Sequence, residues 1–290
     1  MKRIITIQDI SCVGKCSLTV ALPVISAMGV ETAVLPTAVL STHTAFKGFT
    51  FRDLTDDIES ICSHWKNQHI TFDAIYTGYL GSFRQLELMS KLIDDFGTEK
   101  GTVIIDPCMA DNGNLYAGFT PEFALAMAKL TGKADVILPN LTEASYMLGI
   151  PYKASGYDEQ YIKDMLVQLS ALGCRHTVIK GVVFDQDQPS FRNVKDRIGI
   201  VSYDTGTKKI SGYFHEKLPV SFHGTGDIFA SVCTGALMRG LTLDASLALA
   251  ADFVVESIRA TLSHSDHNWY GVDFEAAFPW LLKRLEKELK

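Results

Sequence analysis

The sequence holds no Cys-x-x-Cys pair. Its six cysteines stand apart at positions 12, 16, 62, 108, 174 and 233, a scatter that argues against a disulfide framework or a thiolate zinc site and fits a reducing compartment. Most of them are expected as small buried apolar residues. Neither sign of charge gathers into a block: 27 Lys and Arg stand against 33 Asp and Glu, a formal charge of −6, so no nucleic-acid partner is expected. No apolar run approaches the length of a membrane span, and the N-terminal MKRIITIQDI breaks off too early for a signal segment. A soluble cytoplasmic protein with no membrane partner is the expectation. Repeats, low-complexity tracts and linkers are also absent, so the 290 residues, 47% of them hydrophobic, are read as one domain spanning 1–290.

Two nucleotide fingerprints are missing as well. The first apolar run leads into QDISCVGKCSL, where Gly14-Lys15 suggests a P-loop, but Asp9 stands where the earlier glycine belongs and Cys16 where a magnesium-binding Ser or Thr belongs. A G-x-G-x-x-G turn is absent there too, which disfavours a dinucleotide-binding dehydrogenase.

What the chain does have is alternation. RIITIQ, TAVLPTAVL, AIYTGYL, TVIIDP, VILPN and HTVIKGVV read as buried strands with helical patterns between them, which predicts an α/β fold built on a mostly parallel sheet with helices on both faces. Ser82 with Gln85 reads as a capping box, and Thr120-Pro121 as an N-cap and first helical position. RIGIVSYD and KKISGYFHEKL flank TGTK and predict an antiparallel hairpin at the sheet edge. Beyond residue 224 two helices are expected, the second with Leu243, Leu247, Ala250, Val254, Ile258 and Leu262 on its buried stripe. In a last helix near 273–289, Pro279 should mark a kink or the true first turn.

Three segments carry candidate chemistry. FHGTGDIFAS, residues 222–231, sets Gly224, Thr225 and Gly226 directly before Asp227 and then enters a helical pattern. Successive amides in such a turn, followed by a helix N-terminus, aim several N–H donors at one point and suit a phosphate. A carboxylate beside them suits the proton of an attacking alcohol, as phosphoryl transfer requires. A plain capped turn is the other reading of the same stretch.

IIDPCMAD carries Asp106 off the end of an apolar strand, with Asp111 following. Parallel sheets collect ligands beyond the carboxyl ends of their strands, so the two acids suit a divalent cation held directly or through water; a turn at Pro107 and a solvated DNGN loop is the alternative. ILPNLTEASYMLG repeats the pattern with Asn140 and Glu143, which also make a capping box on their own. Lys180, closing HTVIK, either approaches nucleotide phosphates or simply ends its strand. His43 is read as ordering its own loop.

Together these segments resemble the pyridoxal kinases of the ribokinase-like superfamily. GTGD resembles the superfamily's catalytic signature, DPCMAD the D-P-V-M-G-D segment, PNLTEA the P-N-x-x-E-A segment and TGYLGS the S-G-Y-L-G-S segment, in order along nearly the whole chain. The resemblance implies a three-layer kinase domain that uses ATP and magnesium to phosphorylate the 5′-hydroxymethyl group of a vitamin B6 compound. It implies Asp227 as the base, with the amides of Gly224, Thr225 and Gly226 steadying the transferring phosphoryl group. It further implies Asp106, Asp111 and Glu143 around the metal, Asn140, Gly224 and Gly226 toward ATP, where Lys180 is the open candidate, and Asp9, Thr44 and Tyr79 around the substrate ring. At position 9 many relatives carry Ser, so the acid leaves the preferred vitamer open. A homodimer and a monovalent cation near the phosphates are implied too. Hydroxymethylpyrimidine kinases share this fold and usually carry Cys where this chain has Asp227; a non-catalytic vitamin or nucleotide sensor is the reading from another class.

Overall fold

The computed structural model describes residues 1–97 and 101–290. In chain order the elements are β1 (Arg3–Ser11), α1 (Leu18–Ala27), β2 (Glu31–Leu40), β3 (Phe51–Asp53), α2 (Thr55–Asn67), β4 (Ala74–Thr77), α3 (Phe83–Phe96), β5 (Thr102–Ile105), β6 (Ala110–Asp111) and β7 (Asn114–Leu115). They continue with α4 (Pro121–Thr131), β8 (Val136–Ile137), α5 (Leu141–Leu148), α6 (Glu159–Ser170), β9 (His176–Val183), β10 (Arg197–Asp204), β11 (Lys209–Glu216), α7 (Thr225–Met238), α8 (Leu243–Leu262) and α9 (Phe274–Glu288). Two compact units form. Unit 1 comprises Met1–Tyr79, Phe96–Gly101 and Val220–Lys290; unit 2 comprises Leu80–Asp95 and Thr102–Pro219.

In unit 1, β1 pairs in parallel with both β2 and β4, and β3 joins β2 antiparallel. A strand flanked on both sides and covered on both faces has no wet face to offer, which is why β1 is apolar without alternation: Ile4, Ile5 and Ile7 are fully buried, and so are Thr6 and Gln8. α1 packs on β1 and on α7, α7 on α8, and α8 on α9. Because α8 is covered from two sides, its burial departs from the single stripe expected. Phe253 and Val255 are buried off that stripe, whereas Leu262, on it, is 44% exposed. Pro279 lies inside α9 rather than in its first turn. The absent N–H there would have bonded the Glu275 carbonyl, so the helix forgoes one rung.

In unit 2, β5, β8 and β9 pair in parallel, and β9, β10 and β11 continue antiparallel, the last two forming the hairpin expected around TGTK. Thr120 caps α4 by accepting the Phe123 N–H, with Pro121 in the first turn as expected. The Ser82 hydroxyl accepts the Gln85 N–H at 3.2 Å, but the Gln85 side chain takes the Gly81 N–H at 2.7 Å, one residue before the one a capping box would use. The DNGN stretch is more ordered than a solvated loop. Asn112 and Gly113 both have positive φ, 49° and 79°, and close a two-residue turn between β6 and β7; Asn-Gly is the pair that tolerates this mirror-image turn.

Each unit thus carries parallel strands with helices around them, the mostly parallel α/β architecture read from the sequence. The cysteines depart from expectation: only Cys174 and Cys233 are buried, and Cys12 is exposed. Among the described residues no helix is long and apolar enough to cross a membrane.

Candidate active site

Unit 1 begins its candidate site at the end of β1. Gln8 pairs with Pro36 and Ile10 with Val39, so β2 supplies three residues where β1 supplies two, and the ladder is irregular beside Asp9. Such a bulge re-aims the side chains around it. Asp9 is buried, and the Ser11 hydroxyl donates to its Oδ2 at 3.0 Å. Burial raises the Asp9 carboxyl above the ordinary carboxylate range, against the pull of hydrogen bonds from Ser17 and Ser11. Tyr79 follows β4, its carbonyl accepting the Thr37 hydroxyl at 3.2 Å. Burial pushes its phenol up, and the charge of Asp9 adds to the effect.

Thr44 lies on an exposed turn. Its neighbour His43 is buried and orders the loop as expected: Nε2 stands 3.1 Å from the Tyr270 carbonyl, and Nδ1 accepts the Ala45 N–H at 3.1 Å. An amide can only donate, so Nδ1 is the acceptor, Nε2 carries the proton, and the ring is neutral. Burial holds its pKa down.

The glycine turn follows from two constraints on one residue. Gly224 has φ 79° and ψ −2°, the left-handed region that costs a side chain most, and a Cβ there would overlap the Lys15 carbonyl. α7 then starts at Thr225, and its first internal bond runs from the Ile228 N–H to the Gly224 carbonyl at 3.0 Å. The amides of Thr225 and Gly226 come before that bond, at the positive end of the helix axis. No side chain caps them from Gly224, while the Thr225 hydroxyl turns back to the Phe222 carbonyl at 3.3 Å. Asp227 sits in this first turn. Beside it, the Cys16 thiol is pushed far up by burial, then by the charges of Asp227 and Asp9, and stays protonated.

Unit 2 assembles a buried charge cluster at its strand ends. Asp106 leaves β5 fully buried and receives Lys180 of β9 at 2.8 and 3.0 Å. Glu143, also buried, accepts the Met109 N–H on Oε1 at 3.0 Å and the Asn140 N–H on Oε2 at 2.8 Å. Asn140 answers by accepting the Glu143 N–H at 2.9 Å, completing the capping box of α5, and donates its amide to the Ala110 carbonyl at 2.8 Å. Burial pushes the Glu143 carboxyl up to about 7, and the Asp106 charge adds to it against Lys180. Burial likewise raises Asp106 against the pull of Lys180. Burial alone would lower the Lys180 ammonium; the charges of Asp106 and Glu143 outweigh it and hold the ammonium protonated. Asp111 stands apart: it is exposed, and its two oxygens accept from the backbone and side chain of Asn112 at 2.9 and 3.0 Å.

Among the described residues no group of three or more His, Cys, Asp or Glu is placed to hold a bare metal ion. Asp106 and Glu143 nevertheless bring two carboxyl groups together at the strand ends, hard oxygen donors of the kind that suit a divalent cation reached through its own water, as magnesium prefers. Sequence reasoning named Asp106 and Lys180 separately and missed that they are ion-paired. It missed Cys16 because the residue appeared only as a failed P-loop position, and it dismissed Lys15 for the same reason.

The fold has counterparts among known proteins. Residues 21–270 match the model of a family described as phosphomethylpyrimidine kinase, and the chain belongs to that family of ATP-dependent kinases. A Bacteroides thetaiotaomicron protein provisionally assigned as a phosphomethylpyrimidine kinase and crystallised with pyridoxal is 39% identical, with a TM-score of 0.88 over 98% of this chain and 96% of that one. Pyridoxal kinase from Lactobacillus plantarum is 31% identical, with a TM-score of 0.87 over 99% of both chains. Pyridoxal kinase of Dictyostelium discoideum is 25% identical over 279 residues, 92% of this chain and 87% of that protein. The resemblance to pyridoxal kinases thus extends from short motifs to the whole fold.

Proposed function

We propose that this kinase transfers the γ-phosphoryl group of ATP to the 5′-hydroxymethyl group of a vitamin B6 compound, with Asp227 as general base. The alcohol oxygen forms its bond to phosphorus as the bond to ADP breaks, and the alcohol proton passes to Asp227. The free amides at the start of α7 receive the charge that spreads over the transferring oxygens. On the acceptor side, Asp9 and Tyr79 orient the ring and Thr44 reaches it from its exposed turn. The observation that carries the reading is the Gly224 turn, whose left-handed backbone opens α7 with the Thr225 and Gly226 amides and sets Asp227 in the same first turn.

On the donor side, Lys180 neutralises phosphate charge, and Asn140 with Glu143 fixes the start of α5. Asp106, Glu143 and the exposed Asp111 would hold magnesium, largely through water; when bound, it supplies charge neutralisation to the phosphates. A monovalent cation and a homodimeric assembly belong to the same proposal by resemblance. A pyrimidine alcohol is the second reading, favoured by the family's own description. Two experiments test the proposal. Asp227→Asn should keep ATP binding and lower turnover by about two to four orders of magnitude; near-normal turnover would remove the base from the mechanism. ADP release measured with pyridoxal, pyridoxine, pyridoxamine and hydroxymethylpyrimidine should be fastest with a B6 compound, and a preference for the pyrimidine would transfer the assignment to the second reading.

A further inference from the structure

The Gly14-Lys15 pair has no P-loop around it, yet it is held more firmly than a surface loop requires. The Lys15 ammonium donates to Glu275 at 2.5 Å and to Asp273 at 3.3 Å, and lies 5.3 Å from the centre of the Phe274 ring. Its stem lies where a side chain on Gly271 would overlap it. Those partners are fixed in turn. Phe274 is buried, and the Asp273 N–H donates at 2.7 Å to the hydroxyl of Thr261, itself buried and bonded to the Ser257 carbonyl at 2.8 Å. One residue upstream, Gly14 abuts the ring of His43, which is bonded to the Tyr270 carbonyl. Residues 14 and 15 are thus gripped twice by the segment that enters α9. The other side of Lys15 is its carbonyl, which fills the space a Gly224 side chain would need.

We propose that Lys15 is a positioning residue: the C-terminal segment 270–275 sets the depth of the Gly224 turn, and hence of Asp227, through the Lys15 ammonium and its carbonyl. This rests on the reading of Asp227 as the base. The ammonium is committed to two carboxylates, so it acts as an anchor and not as a phosphate ligand. The turn itself has no capping side chain, so its register depends on what packs against it. Donors and base tolerate little displacement in phosphoryl transfer, which makes a slack anchor costly to the chemical step and nearly neutral to ground-state binding.

Lys15→Met retains the stem and deletes the charge. It should lower kcat about ten- to a hundredfold while KM for ATP and for the alcohol stays within about twofold. Lys15→Arg, long enough to reach the same carboxylates, should recover most of the loss. Glu275→Gln, at a half-exposed position that leaves folding intact, should give a smaller loss of the same kind. Amide exchange over 224–228 should quicken in Lys15→Met while that of α8 stays unchanged. A loss confined to the KM for ATP would make Lys15 a phosphate ligand and overturn the proposal, as would unchanged kcat or unchanged exchange in the turn. Asp227→Asn is measured alongside: if it retains turnover, the general-base reading fails by itself, and exchange at the turn still decides whether Lys15 is the anchor.

Discussion

Replacing Gly224 by alanine attacks the turn through two separate physical costs. A non-glycine residue held at φ 79° pays about 1–2 kcal/mol for the left-handed conformation. The new methyl also occupies the place of the Lys15 carbonyl, and overpacking of that kind costs about 1–3 kcal/mol as neighbours shift. Together they come to roughly 2–5 kcal/mol, which for a chain of this size lowers Tm by roughly 3–8 °C. The functional cost is larger than the stability cost alone implies, because relief of the overlap moves the Thr225 and Gly226 amides. Turnover should fall by about two to three orders of magnitude, the usual worth of a displaced oxyanion donor. Calorimetry and initial rates on the same preparation check both numbers. If Gly224→Ala melts within about 2 °C of the parent and turns over within about twofold of it, the turn is neither strained nor crowded, and its amides are not the cradle of the transferring phosphoryl group.

Two more perturbations test the polar interior. Lys180→Met leaves Asp106 buried beside Glu143 without its cation and should cost about 3–5 kcal/mol, most of it recovered by adding Asp106→Asn; losses that simply add in thermal melts would refute the pairing. His43 gives a pH signature. Burial holds its folded-state pKa below the unfolded value of 6.5, so its contribution is complete above 6.5 and is lost as pH falls through the folded-state value. The Tm advantage of the parent over His43→Gln should therefore shrink on acidification, and an advantage that grows would mean the ring is charged in the folded state.

Much of the fold was legible because it is local. The strands stand out as β-branched runs, and the Thr120 cap and the Asn140-Glu143 box are decided within four residues. The TGTK hairpin and the glycine turn are short-range features as well. What stayed hidden depends on residues distant in sequence. The register irregularity beside Asp9 involves how β2 meets β1. Phe253 and Val255 are buried because α8 has neighbours on two sides, which a one-face periodicity cannot express. Pro279 lies inside α9 and not in its first turn, a choice that local rules leave open. Of the candidate site, the residue types were recognisable, but their engagement was not: the Asn140 side chain is occupied by its cap and by Ala110, and Lys180 is ion-paired with Asp106.

The partners of the Lys15 ammonium lie 258 and 260 residues further along the chain. At ordinary elongation rates of about 5–20 residues per second, roughly 13–52 s separate the emergence of the lysine from that of its carboxylates. Through most of that interval α1 waits with α7, the helix that will pack on it, still unmade. A circular permutant that begins at α7 would shorten the wait.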